Sequence, residues 1–194
     1  MNGDHIRYVL AMQHKKAGAL VNNTVVTTIM SNMGLYRALQ KAGISYVQTT
    51  VGDRYVYENM QQTGNCIGGE QSGHIILSKY ATTGDGILTA IKLMEAVISE
   101  KKPLSKLAEP VQMLPQVTKN VRVADKAAVK NNSAVKNTLE AVARRLGDGG
   151  RILLRESGTE PVIRVMVEAP TLELCQECVG EVVAVIFLQN LASE

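Results

Sequence analysis

Between residues 24 and 77, short β-branched runs alternate with stretches of helical period, and this alternation limits the fold more than any other feature. "TVVTTIM" (24–30) and "ISYVQTT" (44–50) have the length and β-branching of strands rather than helices. "SNMGLYRALQKAG" (31–43) and "DRYVYENMQQTG" (53–64) space their apolar residues three or four apart and end on glycine. Strands and helices in that order build a sheet with helices laid over it. Ser31, Asp53 and Asp85 are the expected helix caps.

Around this segment the reading is similar. Residues 5–17 form an amphipathic helix through Ile6, Val9 and Leu10 that stops at Gly18. "CIGGEQSGHIILS" (66–78) reads as strand, loop and strand. "GDGILTAIKLMEAVISEKK" (84–102) is a helix whose Ile87, Ile91, Met94 and Ile98 make one stripe, expected in the core. The pattern opens on a helix without the strand that ordinarily precedes it. The expectation is a truncated α/β domain with a mixed sheet.

The texture changes near residue 103. "KPLSKLAEPVQMLP" (102–115) holds three of the five prolines, which puts a boundary there. "QVTKNVRVA" alternates like a strand, and "SAVKNTLEAVARRLGDGG" is a helix with a glycine-rich stop. "GRILLRE" and "PVIRVMVEA" are strands flanking "SGTE", and a final helix starts at Thr171. This order predicts a small α+β domain with helices on one face of an antiparallel sheet. The expected division is 1–107 and 108–194.

Composition excludes several functions. Aromatic residues are 4% of the chain, with no Trp and one Phe, too few for a base-stacking surface. The formal net charge is +3 and the Lys and Arg are dispersed, so no nucleic-acid partner is expected. The longest apolar run, "VVAVIFL", is far short of the ~20 residues that span a bilayer. Three cysteines suit a reducing compartment, here the cytoplasm, better than a disulfide framework. "CQEC" (175–178) has CxxC spacing but no second pair or nearby His, so buried helix thiols are the simpler reading.

Two loops carry chemistry. In "RESGTEP" (155–161), Arg155 offers a fork of donors suited to phosphate or carboxylate. Ser157 and Thr159 add hydroxyls, and Gly158 lets backbone N–H groups approach an anion. A plain hairpin turn is the competing reading. In "GGEQSGH" (68–74), extended backbone would put Glu70, Ser72 and His74 on one side. A carboxylate beside a hydroxyl suits vicinal ligand hydroxyls, and an imidazole can move a proton near neutral pH. No Ser/His/Asp triad, Walker loop or metal-ligand spacing is present.

"GEQSGH" followed by "RESGTEP", with "VGDRYV" (51–56) and "TTGDGI" (82–87) in the same order, resembles the α-D-phosphohexomutase superfamily and, within it, the bacterial phosphoglucosamine mutases. The resemblance runs over nearly the whole chain. It implies an incomplete third domain and a complete fourth domain of a four-domain enzyme. The family's serine loop ("SASHNP" type) and magnesium loop ("DGDxDR") are not in this sequence. The resemblance therefore implies a parent enzyme using magnesium held elsewhere, with the N-terminal half of that enzyme as partner and a phosphorylated hexosamine as substrate.

By position, Gly69, Glu70 and Ser72 resemble the residues that grip the sugar. Arg155, Ser157, Gly158 and Thr159 resemble the site of the phosphate that is not reacting. His74 and Arg54 match positions facing the reacting end, and no residue here matches a metal ligand. Phosphomannomutase or phosphoglucomutase, and a non-catalytic phosphosugar-binding module, are the alternative readings.

Overall fold

The computed structural model describes residues 1–193, which form two compact units, residues 1–113 and 114–193. The first unit extends past residue 107 because Ala108 and Val111 are buried in it.

The first unit runs α1 (Gly3–Lys16), β1 (Thr24–Thr28), α2 (Met33–Lys41), β2 (Ser45–Thr49), α3 (Asp53–Thr63), β3 (Ile67–Gly69), β4 (Ile75–Leu77), α4 (Gly86–Glu100) and α5 (Leu104–Ala108). Its sheet has the order β2-β1-β3-β4. β1 pairs in parallel with β2 and β3, and β4 closes the edge antiparallel. The sheet is therefore mixed, with β1 paired on both sides.

Side chains alternate across it. Val25, Ile67, Ile75 and Leu77 join Tyr8 and Leu10 of α1 and Leu35 and Leu39 of α2 in one core. Val26 and Ile76 point the other way, onto Val56 and Met60 of α3.

Two of the three expected helix caps shift. α2 is capped by Asn32, whose Oδ1 accepts from Gly34 N at 2.9 Å; Ser31 is one residue too early. Gly52, not Asp53, stands at the cap of α3. Asp85 does cap α4, accepting from Leu88 N at 2.9 Å.

The larger correction concerns α4. Ile87, Ile91, Met94 and Ile98 are 78%, 44%, 57% and 74% exposed. The helix docks through a narrower seam, with Ala96 beside Val9 and Ala108, and Leu88 and Leu93 beside the main core. α4 is apolar on more than one side, so periodicity alone does not say which side turns inward.

The second unit runs β5 (Gln116–Arg122), α6 (Lys126–Asn131), α7 (Ser133–Leu146), β6 (Arg151–Glu156), β7 (Val162–Glu168) and α8 (Leu172–Leu188). Its sheet is antiparallel with the order β5-β7-β6. Val121, Ile163, Val165 and Val167 face α7 and α8, burying Val135, Val142, Val179, Val182 and Ile186. Cys175 and Cys178 belong to this core as free thiols. Among the described residues no helix is long and apolar enough to cross a membrane.

Candidate functional site

In the first unit the chain passes from β1 outward to β2, then crosses through α3 to β3 on the other side of β1. The carboxyl ends of β1 and β3 thus flank a point where the winding reverses, the usual ligand position in open α/β sheets. Glu70 follows β3 directly at that point.

The 70–74 segment is a tight turn, not extended. Glu70 N donates to His74 O at 3.0 Å and Gly73 N to Glu70 O at 3.1 Å. Gly73 has φ +107, which favours glycine. The turn brings the three predicted side chains together by folding back. Ser72 Oγ lies 3.3 Å from His74 Nδ1, and His74 Nδ1 is 3.8 Å from Glu70 Oε2.

Glu70 is held from a second side. Gly52 N, at the start of α3, donates to Glu70 Oε1 at 3.0 Å, so the carboxylate sits where the helix dipole favours negative charge. Ser72 and His74 are exposed, whereas Glu70 is largely buried. Arg54, on the first turn of α3, stands apart from this cluster: its Nε donates to Glu58 Oε1 at 2.7 Å. That bond, together with the charge of Glu58, raises the Arg54 pKa.

In the second unit the predicted anion loop joins β6 to β7. Ser157 is buried; its N donates to Val162 O at 2.9 Å, and its carbonyl accepts from Lys126 Nζ at 2.6 Å. Gly158 and Thr159 are exposed. A Cβ at Gly158 would meet nothing within 4 Å, so no neighbour in the chain requires glycine there.

Arg155 lies directly opposite Arg164 in the β6–β7 ladder. Like charges in that position are destabilising. Four residues along the same two strands, the opposite pair is Arg151 and Glu168, joined by bonds of 2.9 and 3.1 Å. The ladder therefore contains one matched pair and one mismatched pair on the same face.

Arg164 Nη2 donates to Glu160 Oε2 at 3.1 Å, but its Nε is buried without a hydrogen-bond partner. Burial pushes the Arg155 guanidinium below its usual range, and Arg164 opposite adds to that shift. Two guanidiniums so placed can share one anion.

Arg164 and Lys126 were not singled out from sequence. A hairpin closed on "SGTE" alone would set Arg155 across from Val162; Glu156 pairs instead with Ile163, and that shift of two residues brings Arg164 opposite Arg155. Lys126 lies 31 residues from the carbonyl it holds, and nothing local marks it.

A cleft of about 470 Å³ at the other end of the β3–β4 hairpin is lined by His14, Cys66, Tyr80 and Lys92 and contains no loop residue. Among the described residues no group of three or more His, Cys, Asp and Glu side chains is arranged to hold a metal ion.

Comparison with known proteins bears on both units. Residues 2–114 match the family described as phosphoglucomutase/phosphomannomutase, alpha/beta/alpha domain III, and residues 119–185 match its C-terminal domain. The phosphoglucosamine mutase of Lachnospira eligens is 57% identical over 186 residues, covering 96% of this chain and 41% of that protein. That of Bacillus subtilis is 51% identical over the same length, covering 96% and 42%.

A crystal structure of N-acetylglucosamine-phosphate mutase in its substrate complex superposes with a TM-score of 0.79 at 19% identity, covering 95% of this chain and 44% of that one. Aspergillus fumigatus N-acetylphosphoglucosamine mutase in complex with GlcNAc-6P and magnesium gives 0.75 at 20%, covering 95% and 43%. The chain thus spans about two fifths of the length of the curated relatives it matches. A mixed α/β unit followed by a small antiparallel α+β unit, matched along most of its length to domain III and the C-terminal domain, belongs to the phosphoglucomutase/phosphomannomutase family.

Proposed function

We propose that this chain is the sugar- and phosphate-binding C-terminal part of a cytoplasmic mutase that interconverts glucosamine 6-phosphate and glucosamine 1-phosphate. In this reading a phosphoserine outside the chain donates its phosphoryl group to the sugar. The bisphosphate turns around and returns its other phosphate to the serine. Such an enzyme must hold the sugar both ways round, which needs one set of groups for hydroxyls and another for the idle phosphate.

Glu70 and Ser72, carried on the turn after Gly69, take the first role. Arg155, Ser157, Gly158 and Thr159 take the second, with Arg164 as an additional guanidinium. His74 and Arg54 face the reacting end, where His74 moves a proton or stabilises charge. The resemblance puts the magnesium ligands of the whole enzyme in the "DGDxDR" loop, which this sequence does not contain.

The observation that carries this reading is the pair Arg155 and Arg164, opposed across a ladder, with a buried Arg164 Nε that has no hydrogen-bond partner among the described residues. An anion is what such a pair accepts.

The test is an NMR titration with glucosamine 6-phosphate, glucose 6-phosphate and inorganic phosphate, repeated on Arg155→Ala. Shifts at residues 155–160 with all three ligands, lost in the variant, support the phosphate site. Added shifts at 69–74 with the sugar phosphates support the sugar loop. Unchanged spectra from a folded chain would overturn both.

A further inference from the structure

The loop that carries Glu70 is held from beneath by a charged side chain that never reaches solvent. Arg7, on the first turns of α1, is 0% exposed. Its Nη1 donates to Gly69 O at 2.6 Å and its Nη2 to Ser31 Oγ at 2.8 Å. Nη2 also donates to Asp4 Oδ1, and Nε makes a long 3.4 Å bond to Gly3 O. The other carboxylate oxygen of Asp4 accepts from Asn32 N at 2.9 Å.

One guanidinium thus joins three separated pieces of chain: the start of α1, the segment after β1, and the end of β3. Gly3 adds a fourth tie, donating from N to Gln71 O at 3.0 Å. The approach is close enough that a Cβ on Gly3 would collide with the carbonyl of Glu70.

Packing alone does not call for an arginine here. A buried ion pair is seldom more stable than well-packed apolar residues of the same volume. What the fork adds is direction, because its donors lie in one fixed plane. Glu70 is then bracketed: Arg7 fixes the carbonyl just before it, and Gly52 N–H fixes its carboxylate.

We propose that Arg7 is a positioning residue for the proposed sugar site. By fixing the Gly69 carbonyl it aims Glu70 at the ligand while touching no ligand itself. The proposal rests on the reading of Glu70 as a sugar-binding group.

The experiment uses the full 194-residue chain with two variants. Arg7→Met alone would strand the Asp4 charge in the interior, so D4N/R7M removes both charges together. R7K keeps a cation for Asp4 but lacks the planar fork. Three quantities are read: exchange and chemical shift of the Gly52 amide, affinity for glucosamine 6-phosphate, and affinity for inorganic phosphate.

In both variants the Gly52 amide is expected to lose its hydrogen-bonded shift and to exchange at least tenfold faster. The preference for glucosamine 6-phosphate over inorganic phosphate should vanish, while phosphate affinity at residues 155–160 stays within twofold. A merely structural role would instead lower the melting temperature and disturb the amides of the whole first unit, Val25 and Leu39 as much as the loop, and that result overturns the proposal.

Unchanged shifts at Gly52 and residues 69–72 in folded R7K also overturn it, even if D4N/R7M does not fold. Should the unmodified chain show no sugar-dependent shift at 69–74, the sugar reading fails by itself. The Gly52 amide still decides whether Arg7 fixes the loop.

Discussion

Arg164 faces a like charge across the ladder and keeps one nitrogen buried without a partner, so removing it separates binding from stability. Arg164→Leu keeps the strand and takes away both penalties. Its stability is expected to stay level or rise by up to about 1 kcal/mol. Phosphate binding should weaken at least tenfold, about 1.4 kcal/mol. Thermal melting and a phosphate titration on the same sample check the two halves, and a loss of stability would show that the pair is structural.

Glu70→Gln makes the matching test in the other unit. The amide oxygen can still accept from Gly52 N, so the stability change should stay below about 1 kcal/mol. The sugar-dependent shifts at 69–74 are expected to disappear.

At this scale the sequence displayed the polar side chains but not their supports. Glu70, Ser72 and His74 lie within five residues, and a glycine-framed cluster is visible as such. The groups that hold them come from elsewhere in the chain. Gly52 is 18 residues away and Arg7 is 62 residues from the carbonyl it binds. No local pattern announces such a bond.

Elements were legible where one face dominates. Strands β1 and β2 declared themselves by β-branching, and the hairpin strands β6 and β7 by their turn. α4 was legible as a helix but its buried face was not, because Leu88, Leu93 and Ala96 on one side compete with Ile87, Ile91, Met94 and Ile98 on another. Burial distinguishes them.

Ile98→Glu is expected to change stability by less than about 0.5 kcal/mol, as for an ordinary surface substitution. Leu39→Ala, in the core under α2, should cost about 2–5 kcal/mol. Denaturant unfolding of both variants tests the assignment; a multi-kcal loss at Ile98 would restore the core reading.

The N-terminus of α1 carries a pH dependence. Partial burial pushes the His5 imidazole below its usual 6.5, the chain's amino terminus adds to this, and Asp4 opposes it. The unfolded chain then binds the proton more readily than the folded one. Stability from this residue is full above pH 6.5 and is lost as the pH falls towards the depressed folded value. H5Q should lose less stability than the parent chain between about pH 7.5 and about pH 5.5. Parallel curves would assign the acid sensitivity to other groups.

For the molecule as a whole, binding and turnover should separate. Each unit has its own core, and each carries one half of the proposed recognition: hydroxyl-gripping groups after β3, and an anion pair on β6 and β7. A ligand that binds only the folded form stabilises it by about 2.7 kcal/mol at a hundred times its dissociation constant. Phosphate should therefore raise the melting temperature of the chain, and Arg155→Ala should remove the rise.

Conversion is a different demand. It needs a phosphoryl donor, and neither the "SASHNP"-type serine loop nor the "DGDxDR" loop that the resemblance associates with transfer occurs in these 194 residues. The groups proposed for recognition would bind an anion, grip hydroxyls and hold or move a proton. Incubated with glucosamine 6-phosphate and magnesium, the purified chain should bind the sugar phosphate and leave it unchanged. ³¹P NMR resolves the 6-phosphate from the 1-phosphate over hours. Any growth of the 1-phosphate signal that Glu70→Gln abolishes would place the transfer chemistry within this chain and overturn the division of labour proposed for it.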